Sequence, residues 1–114
     1  MQFTVTTDDT AQALGSGEVP VLGTPRVIAW LEAATVEAAA PRLQPGQTTV
    51  GAAVRIRHRR PTAVGGTVEV HAELTVEGDR LTFDVHAVDQ DGATVADGEI
   101  DRVVVERAAF GCAS

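Results

Sequence analysis

Residues 24–43, TPRVIAWLEAATVEAAAPRL, switch the chain to a helical period. Val27, Ile28, Leu31, Ala34, Thr35 and Ala38 recur at the i, i+3, i+4, i+7 spacing of one helical face, in a run rich in Ala, Leu and Glu. Thr24 followed by Pro25 predicts the start, with a hydroxyl to cap free N–H groups and a proline at the first helical position, while Pro41 predicts the end. On the helical wheel the apolar arc centres near Leu31, with Arg26, Ala33 and Glu37 opposite. Glu32 falls at the edge of that arc, between Ile28 and Val36, and apart from the solvated face that carries Glu37.

No other stretch has a convincing helical period. Upstream, QFTVTT (2–7) has the pattern of a short strand, and DDTAQALGSGE (8–18) is polar and Gly-containing, as a loop would be. Downstream, QPGQ (44–47) is a turn. Four runs of period two come after it, over roughly 48–60, 66–77, 80–90 and 94–108, separated by PTAVGG, EGDR and DQDGA. The order strand, helix, four strands predicts an α+β domain: an antiparallel sheet of about five strands wrapped around one long, Ala-rich central helix.

Alternation within the strands sorts the charged residues. In the first long run, Val50, Ala52, Val54, Ile56 and His58 are expected on the core face, with Arg55, Arg57 and Arg59 on the other. In the next, Val68, Val70, Ala72, Leu74 and Val76 are expected inward and Glu69, His71, Glu73 and Glu77 outward, so an acidic stripe is available to face the arginines across the pair. In the third, Leu81, Phe83, Val85 and Ala87 are expected inward and Thr82, Asp84 and His86 outward. Of the three histidines, only His58 is placed to act in a cleft, and Glu32 is the carboxylate best placed to meet it. An inward histidine more often serves the core than chemistry, and Glu32 alone could be a charge reaching the rim; together they suit proton transfer or nucleophilic attack.

Composition bounds the partners. The 114 residues, 44% of them hydrophobic, make one domain, 1–114, with its own core. Nine Lys and Arg against sixteen Asp and Glu leave a formal charge of −7, which repels nucleic acid and anionic membrane surfaces. MQFTVTTDD has neither the basic nor the apolar region of a secretory signal, and no stretch approaches the ~18–20 apolar residues of a membrane span, so a cytoplasmic, soluble protein is expected. A single cysteine, Cys112, excludes an internal disulfide, and no ligand cluster suggests a metal.

The stretch GTPRVIAWLEAATVEAAAPRLQPGQTTVGAAVRIRHRRPTAVGGTVEV (23–70), continued by GDRLTFDVHAVDQDGATVADGEIDRVVVE (78–106), resembles the fluoroacetyl-CoA thioesterase family of hotdog-fold thioesterases. The resemblance covers most of the chain from Leu22 onward. It implies a catalytic set of a threonine before the helix, a glutamate within it and a histidine on the following strand, matched here by Thr24, Glu32 and His58. It also implies that Gly51 marks the place where a backbone N–H approaches the thioester. The segment before the helix, GSGEVPVLG (15–23), contains no aromatic residue, whereas the fluoroacetyl-specific member has a longer segment with an aromatic gate; fluoroacetate selectivity is therefore not implied.

The reaction implied by the resemblance is hydrolysis of a small acyl-CoA to free acid and coenzyme A, with Glu32 as general base or nucleophile and His58 as proton shuttle to the departing thiolate. Thr24 either orients these groups or is a helix cap alone. Coenzyme A enters as part of the substrate and no metal or organic cofactor is required. Arg59 and Arg60 are candidates by position for its phosphates. Two rival readings stand beside this one: a non-catalytic acyl-thioester-binding protein, and an enoyl-thioester hydratase or dehydratase on the same fold. A homodimer is expected, because one helix cannot cover both faces of such a sheet and its edges need a partner. Hotdog relatives share active sites between subunits, which would let Glu32 and His58 of one site come from different chains.

Overall fold

A computed structural model of the chain describes residues 1–112. Its helical elements are α1 (Ala11–Leu14) and α2 (Thr24–Ala39); its strands are β1 (Gln2–Thr4), β2 (Gln47–His58), β3 (Thr67–Glu77), β4 (Arg80–Asp89) and β5 (Thr94–Glu106). The strands form one antiparallel sheet in the order β1-β3-β4-β5-β2, curled around α2. Val27, Leu31 and Ala34 of α2 pack with Val68, Val70, Phe83, Val85 and Ile100 of the sheet, and Phe3 stacks on Trp30 at 4.6 Å between ring centroids. Each such large apolar side chain taken out of water stabilises the fold by about 1.5–3 kcal/mol. The α+β architecture is the expected one.

Several local expectations are corrected. The helix starts at Thr24, with Gly23 as its N-cap and no side-chain cap, so Thr24 does not cap and Pro25 is the second helical residue. Gly23 takes the cap position because a Cβ there would sit 3.1 Å from the Ala11 backbone; α1 lies too close for a side chain. That α1 is itself a correction, since 8–18 is not all loop: Thr10 caps a one-turn helix through the Ala13 N–H, 3.2 Å. β1 is also shorter than expected.

The arginine stripe does not face β3. Two residues separate β3 from β4 and four separate β4 from β5, so these pair as hairpins, whereas the eight residues 59–66 let the chain cross over and leave β2 on the far edge, against β5. The acidic partners of the stripe come from β5. Arg55 makes two hydrogen bonds to Asp101, at 3.1 and 3.0 Å, and one to Glu99, and Arg59 binds Asp97 at 2.9 Å. Arg55 and the Thr82 hydroxyl together hold the Asp101 carboxyl below the usual carboxylate range.

Three register slips interrupt the ladders, and those on β2 and β3 change the expected phase; the third lies between β4 and β5, at Ala87 and Val88. The β2–β5 register slips between Gly51 and Ala53, so Thr49 and Gly51 face α2 before the slip and Val54, Ile56 and His58 face it after. Val50 and Ala52 are thereby removed from the inward set. A second slip, between Leu74 and Val76, turns Val76 out to 56% exposure. An extra residue in one strand shifts every following side chain by one face. The other inward assignments on β3 and β4 hold, and His71 and His86 stack on the outer face, 4.8 Å apart, with His71 bonded to Glu69.

Candidate active site

Thr24 and His58 meet although 34 residues separate them. The first turn of α2 lies over the end of β2, and Thr24 Oγ1 shares a hydrogen bond of 2.8 Å with His58 Nδ1. A Thr in a first turn has a hydroxyl free of the helix ladder, so it can be given to a neighbour. The other ring nitrogen, Nε2, is buried without a hydrogen-bond partner. Burial pushes the imidazole below its ordinary pKa, with a smaller opposing effect from the Arg60 backbone, so the ring is held neutral at pH 7. Beside the pair lies a groove of about 280 Å³ lined by small and apolar residues, Ala11, Ser16, Val21 and Leu22, and closed by Arg59, Arg60 and Pro61.

Glu32 lies elsewhere in the chain. It is two turns further along α2, its side chain 37% exposed, with Oε2 3.6 Å from Nη1 of Arg102. Its carboxylate occupies the place where a side chain of residue 51 would be: a Cβ on Gly51 would come within 2.7 Å of Oε2. The glycine thus makes room for the carboxylate, and the bulge after it turns residue 51 toward the helix. Eight helical residues put Glu32 ~12 Å along the axis from Thr24. Gly51 and His58 are ~20 Å apart along β2. One chain therefore brings Thr24 and His58 together and holds Glu32 beside Gly51, seven residues back along the strand and beyond direct reach of the imidazole.

Of the two candidate phosphate contacts, Arg59 is engaged by Asp97, while Arg60 has no ion-pair partner among the described residues. The residue that the strand pattern did not single out is Arg102. It is buried, its Nε donates to Thr49 Oγ1 at 2.7 Å and its Nη2 to the Thr49 carbonyl at 3.2 Å, and Glu32 is the acidic group beside it. Burial lowers its pKa from the usual arginine value and Glu32 offsets part of that shift. The signal was present: Ile100, Arg102 and Val104 alternate on the inward face of β5, and a charge at an inward position requires a partner. Among the described residues no group of three or more His, Cys, Asp or Glu side chains is arranged to hold a metal ion.

A profile of the fluoroacetyl-CoA-specific thioesterase family, FlK, matches residues 5–108. This chain belongs to that family. It is 38% identical over 92 residues to a fluoroacetyl-CoA thioesterase of Streptantibioticus cattleyicolor; the match takes in 79% of this chain and 65% of that protein, so the chain spans just under two thirds of its relative's length. Among solved structures, a phenylalanine-to-alanine variant of the fluoroacetyl-CoA-specific thioesterase FlK, in complex with fluoroacetate and CoA, superposes with a TM-score of 0.88 at 32% identity, covering 97% of this chain and 91% of that one. A thioesterase superfamily member from Thermus thermophilus gives a TM-score of 0.86 at 26% identity, covering 97% and 82%. The hotdog fold and the family resemblance read from residues 23–106 are thus both found.

Proposed function

We propose that this chain hydrolyses small acyl-CoA thioesters as a homodimer in which each active site takes Glu32 from one chain and the Thr24–His58 pair from the other. The observation that carries the reading is the separation of Glu32 from that pair: the three side chains that the family resemblance implies are all present, two are hydrogen-bonded, and the third lies beside Gly51, seven residues back along the same edge strand. β2 exposes one row of backbone N–H and C=O groups, and Val54, midway along it and facing the helix side, is 41% exposed. Antiparallel pairing of two β2 strands about a two-fold axis near Val54 and Arg55 would set Gly51, and with it Glu32, opposite the partner's His58.

In such a site the acyl carbonyl lies beside Gly51. Glu32 either removes a proton from water as that water attacks the carbonyl carbon, or attacks the carbon itself to form an acyl–glutamate anhydride that water then hydrolyses; in both routes the C–S bond breaks and coenzyme A leaves as its thiolate. His58, neutral at rest and steadied by Thr24, takes up the proton that Glu32 removes from water, or one from solvent in the anhydride route, and passes it to the departing thiolate, so that free acid and coenzyme A are released. Backbone N–H groups at the bulge beside Gly51 hold the oxyanion. Arg60, free of an acidic partner among the described residues, meets the phosphates of coenzyme A at the mouth of the groove, with Arg59 as the weaker candidate because Asp97 competes for it. No cofactor enters. The groove walls contain no Phe, Tyr or Trp, so acetyl and fluoroacetyl thioesters should be handled alike.

No helix among the described residues is long and apolar enough to cross a membrane, in keeping with work on CoA esters in the cytoplasm. The test is a panel of acyl-CoA esters followed by thiol release. Turnover of short-chain esters supports the proposal. Binding without thiol release would move the chain to the acyl-thioester-binding reading, and an absorbance change of an enoyl ester without thiol release would move it to hydration.

A further inference from the structure

The outer face of the sheet, turned away from α2, holds charge that its own residues leave unbalanced. Two rows cross it from β3 to β5. In one, His71 lies opposite His86, and His86 opposite Asp97; in the next, Glu73 lies opposite Asp84, and Asp84 opposite Glu99. The arginines of β2 neutralise the β5 end of both rows, Arg59 on Asp97 and Arg55 on Glu99. At the β3 and β4 end Glu73 and Asp84 have no ion-pair partner among the described residues, although like charges directly opposite on a sheet repel. Glu69, on the same face, is bonded to the His71 ring.

The two histidines stand within that acidic field. Directly opposite positions put their Cβ atoms ~5 Å apart, and the rings stack with 4.8 Å between centroids and 20° between planes. The Glu69 carboxylate accepts the 2.6 Å hydrogen bond, so the proton is on His71 Nε2 and the neutral ring keeps a lone pair on Nδ1. A carboxylate on the far nitrogen is the arrangement that fixes the tautomer of a metal-binding imidazole and raises its basicity. Two nitrogens that share one ion, each ~2.1 Å from it, are ~3 Å apart, and exposed rings reach that spacing by turning about their side-chain torsions. We infer that His71 and His86 are a chelating pair for one divalent ion of the nickel, copper and zinc group. Imidazole nitrogen suits these ions, whereas magnesium and calcium take oxygen ligands. Water completes the shell, since among the described residues no third His, Cys, Asp or Glu side chain is arranged to join a metal site. The ion offsets the repulsion between Glu73 and Asp84 and ties β3 to β4. Its site is on the opposite face of the sheet from His58, so it stands apart from the hydrolase reading.

The test is isothermal titration of the full chain, free of any polyhistidine tag, with Zn2+, Ni2+ or Cu2+ at about pH 7.5, where imidazole is ordinarily neutral. One ion per chain should bind with a dissociation constant in the micromolar range. About 1 mM Zn2+ or Ni2+ should raise the melting temperature by several degrees, and the same concentration of Mg2+ or Ca2+ should leave it unchanged. His71→Ala and His86→Ala should each weaken binding about tenfold or more, and Glu69→Gln about tenfold. Cu2+ on the parent should show two coupled nitrogens by electron paramagnetic resonance. His58→Ala and Cys112→Ser should bind as the parent does. No binding of any of the three ions below about 1 mM overturns the inference, as does parental affinity in His71→Ala or His86→Ala. Loss of binding in His58→Ala or Cys112→Ser would place the ion elsewhere and equally overturn it. Should a histidine variant fail to fold, the copper spectrum of the parent decides, and a spectrum with one nitrogen or none rejects the pair.

Discussion

Mixing two dead variants should restore activity if the active site is shared between chains. Glu32→Gln and His58→Ala, each purified as a homodimer, should each fall to about 1% or less of parental kcat/KM, since each removes a group that handles a proton in the reaction. Within one chain the two side chains sit ~12 Å apart along the helix axis and at opposite ends of a ~20 Å stretch of β2. A shared site therefore pairs Glu32 of one chain with His58 of its partner. A mixed dimer then has one site carrying both defects and one site carrying neither. Unfolding and refolding an equimolar mixture gives mixed species in half the dimers, each with one working site of two, so the mixture recovers about a quarter of parental activity. Thiol release measures it, and native mass spectrometry verifies that mixed dimers formed. A verified mixture no more active than its components would refute the shared site, because sites built within single chains always keep one defect.

Gly51→Ala places a methyl group 2.7 Å from Glu32 Oε2, and the flexible carboxylate yields by ~0.7 Å or more to reach ordinary contact; kcat should fall about 10-fold or more while the melting temperature stays within a few degrees, and an unchanged kcat would mean that Glu32 does not act from this position. His71→Ala and His86→Ala, on the outer face, should leave turnover within about threefold of the parent while His58→Ala loses about 100-fold; equal losses at all three would place the chemistry on the wrong face. Stability should also respond to pH through His58. Its pKa is depressed below 6.5 in the folded chain, so the unfolded chain takes up a proton first; stability is fully kept above about pH 6.5 and lost as pH falls through the native value. His58→Asn should flatten that part of a melting-temperature profile, and an unaltered slope in the variant would assign the loss to other groups. Light scattering should give a dimer at micromolar concentration, and a fully active monomer would contradict the proposed assembly.

Much of the architecture was legible in one dimension because it depends on local periods. The helical spacing of Val27, Leu31 and Ala34 and the alternation of Leu81, Phe83, Val85 and Ala87 each require only that one face be apolar, and both survive unchanged in the structure. His58 was legible as an inward residue for the same reason, and Glu32 as a carboxylate at the edge of an apolar arc.

Where period two failed, the cause was an extra residue. Nothing in TTVGAAVRI announces that the ladder slips at Ala52, since a bulge is decided by how β2 meets β5, and neither strand holds that information alone. The slip exchanges Val50 for Gly51 on the helix-facing side, and so gives the Glu32 carboxylate its place. Strand order was hidden likewise: the arginine stripe could pair with any acidic stripe, and only the eight-residue crossover that carries the chain past β5 made its partners Asp97, Glu99 and Asp101. The sequence by itself determined which residues face inward over each unbroken run, because side-chain direction follows from backbone geometry one residue at a time. Tertiary structure alone decided which of them meet. Thr24 reaches His58, Arg102 reaches Glu32, and Glu32 stays apart from His58, because distances across a fold are set by the packing of separate elements, which no spacing along the chain records.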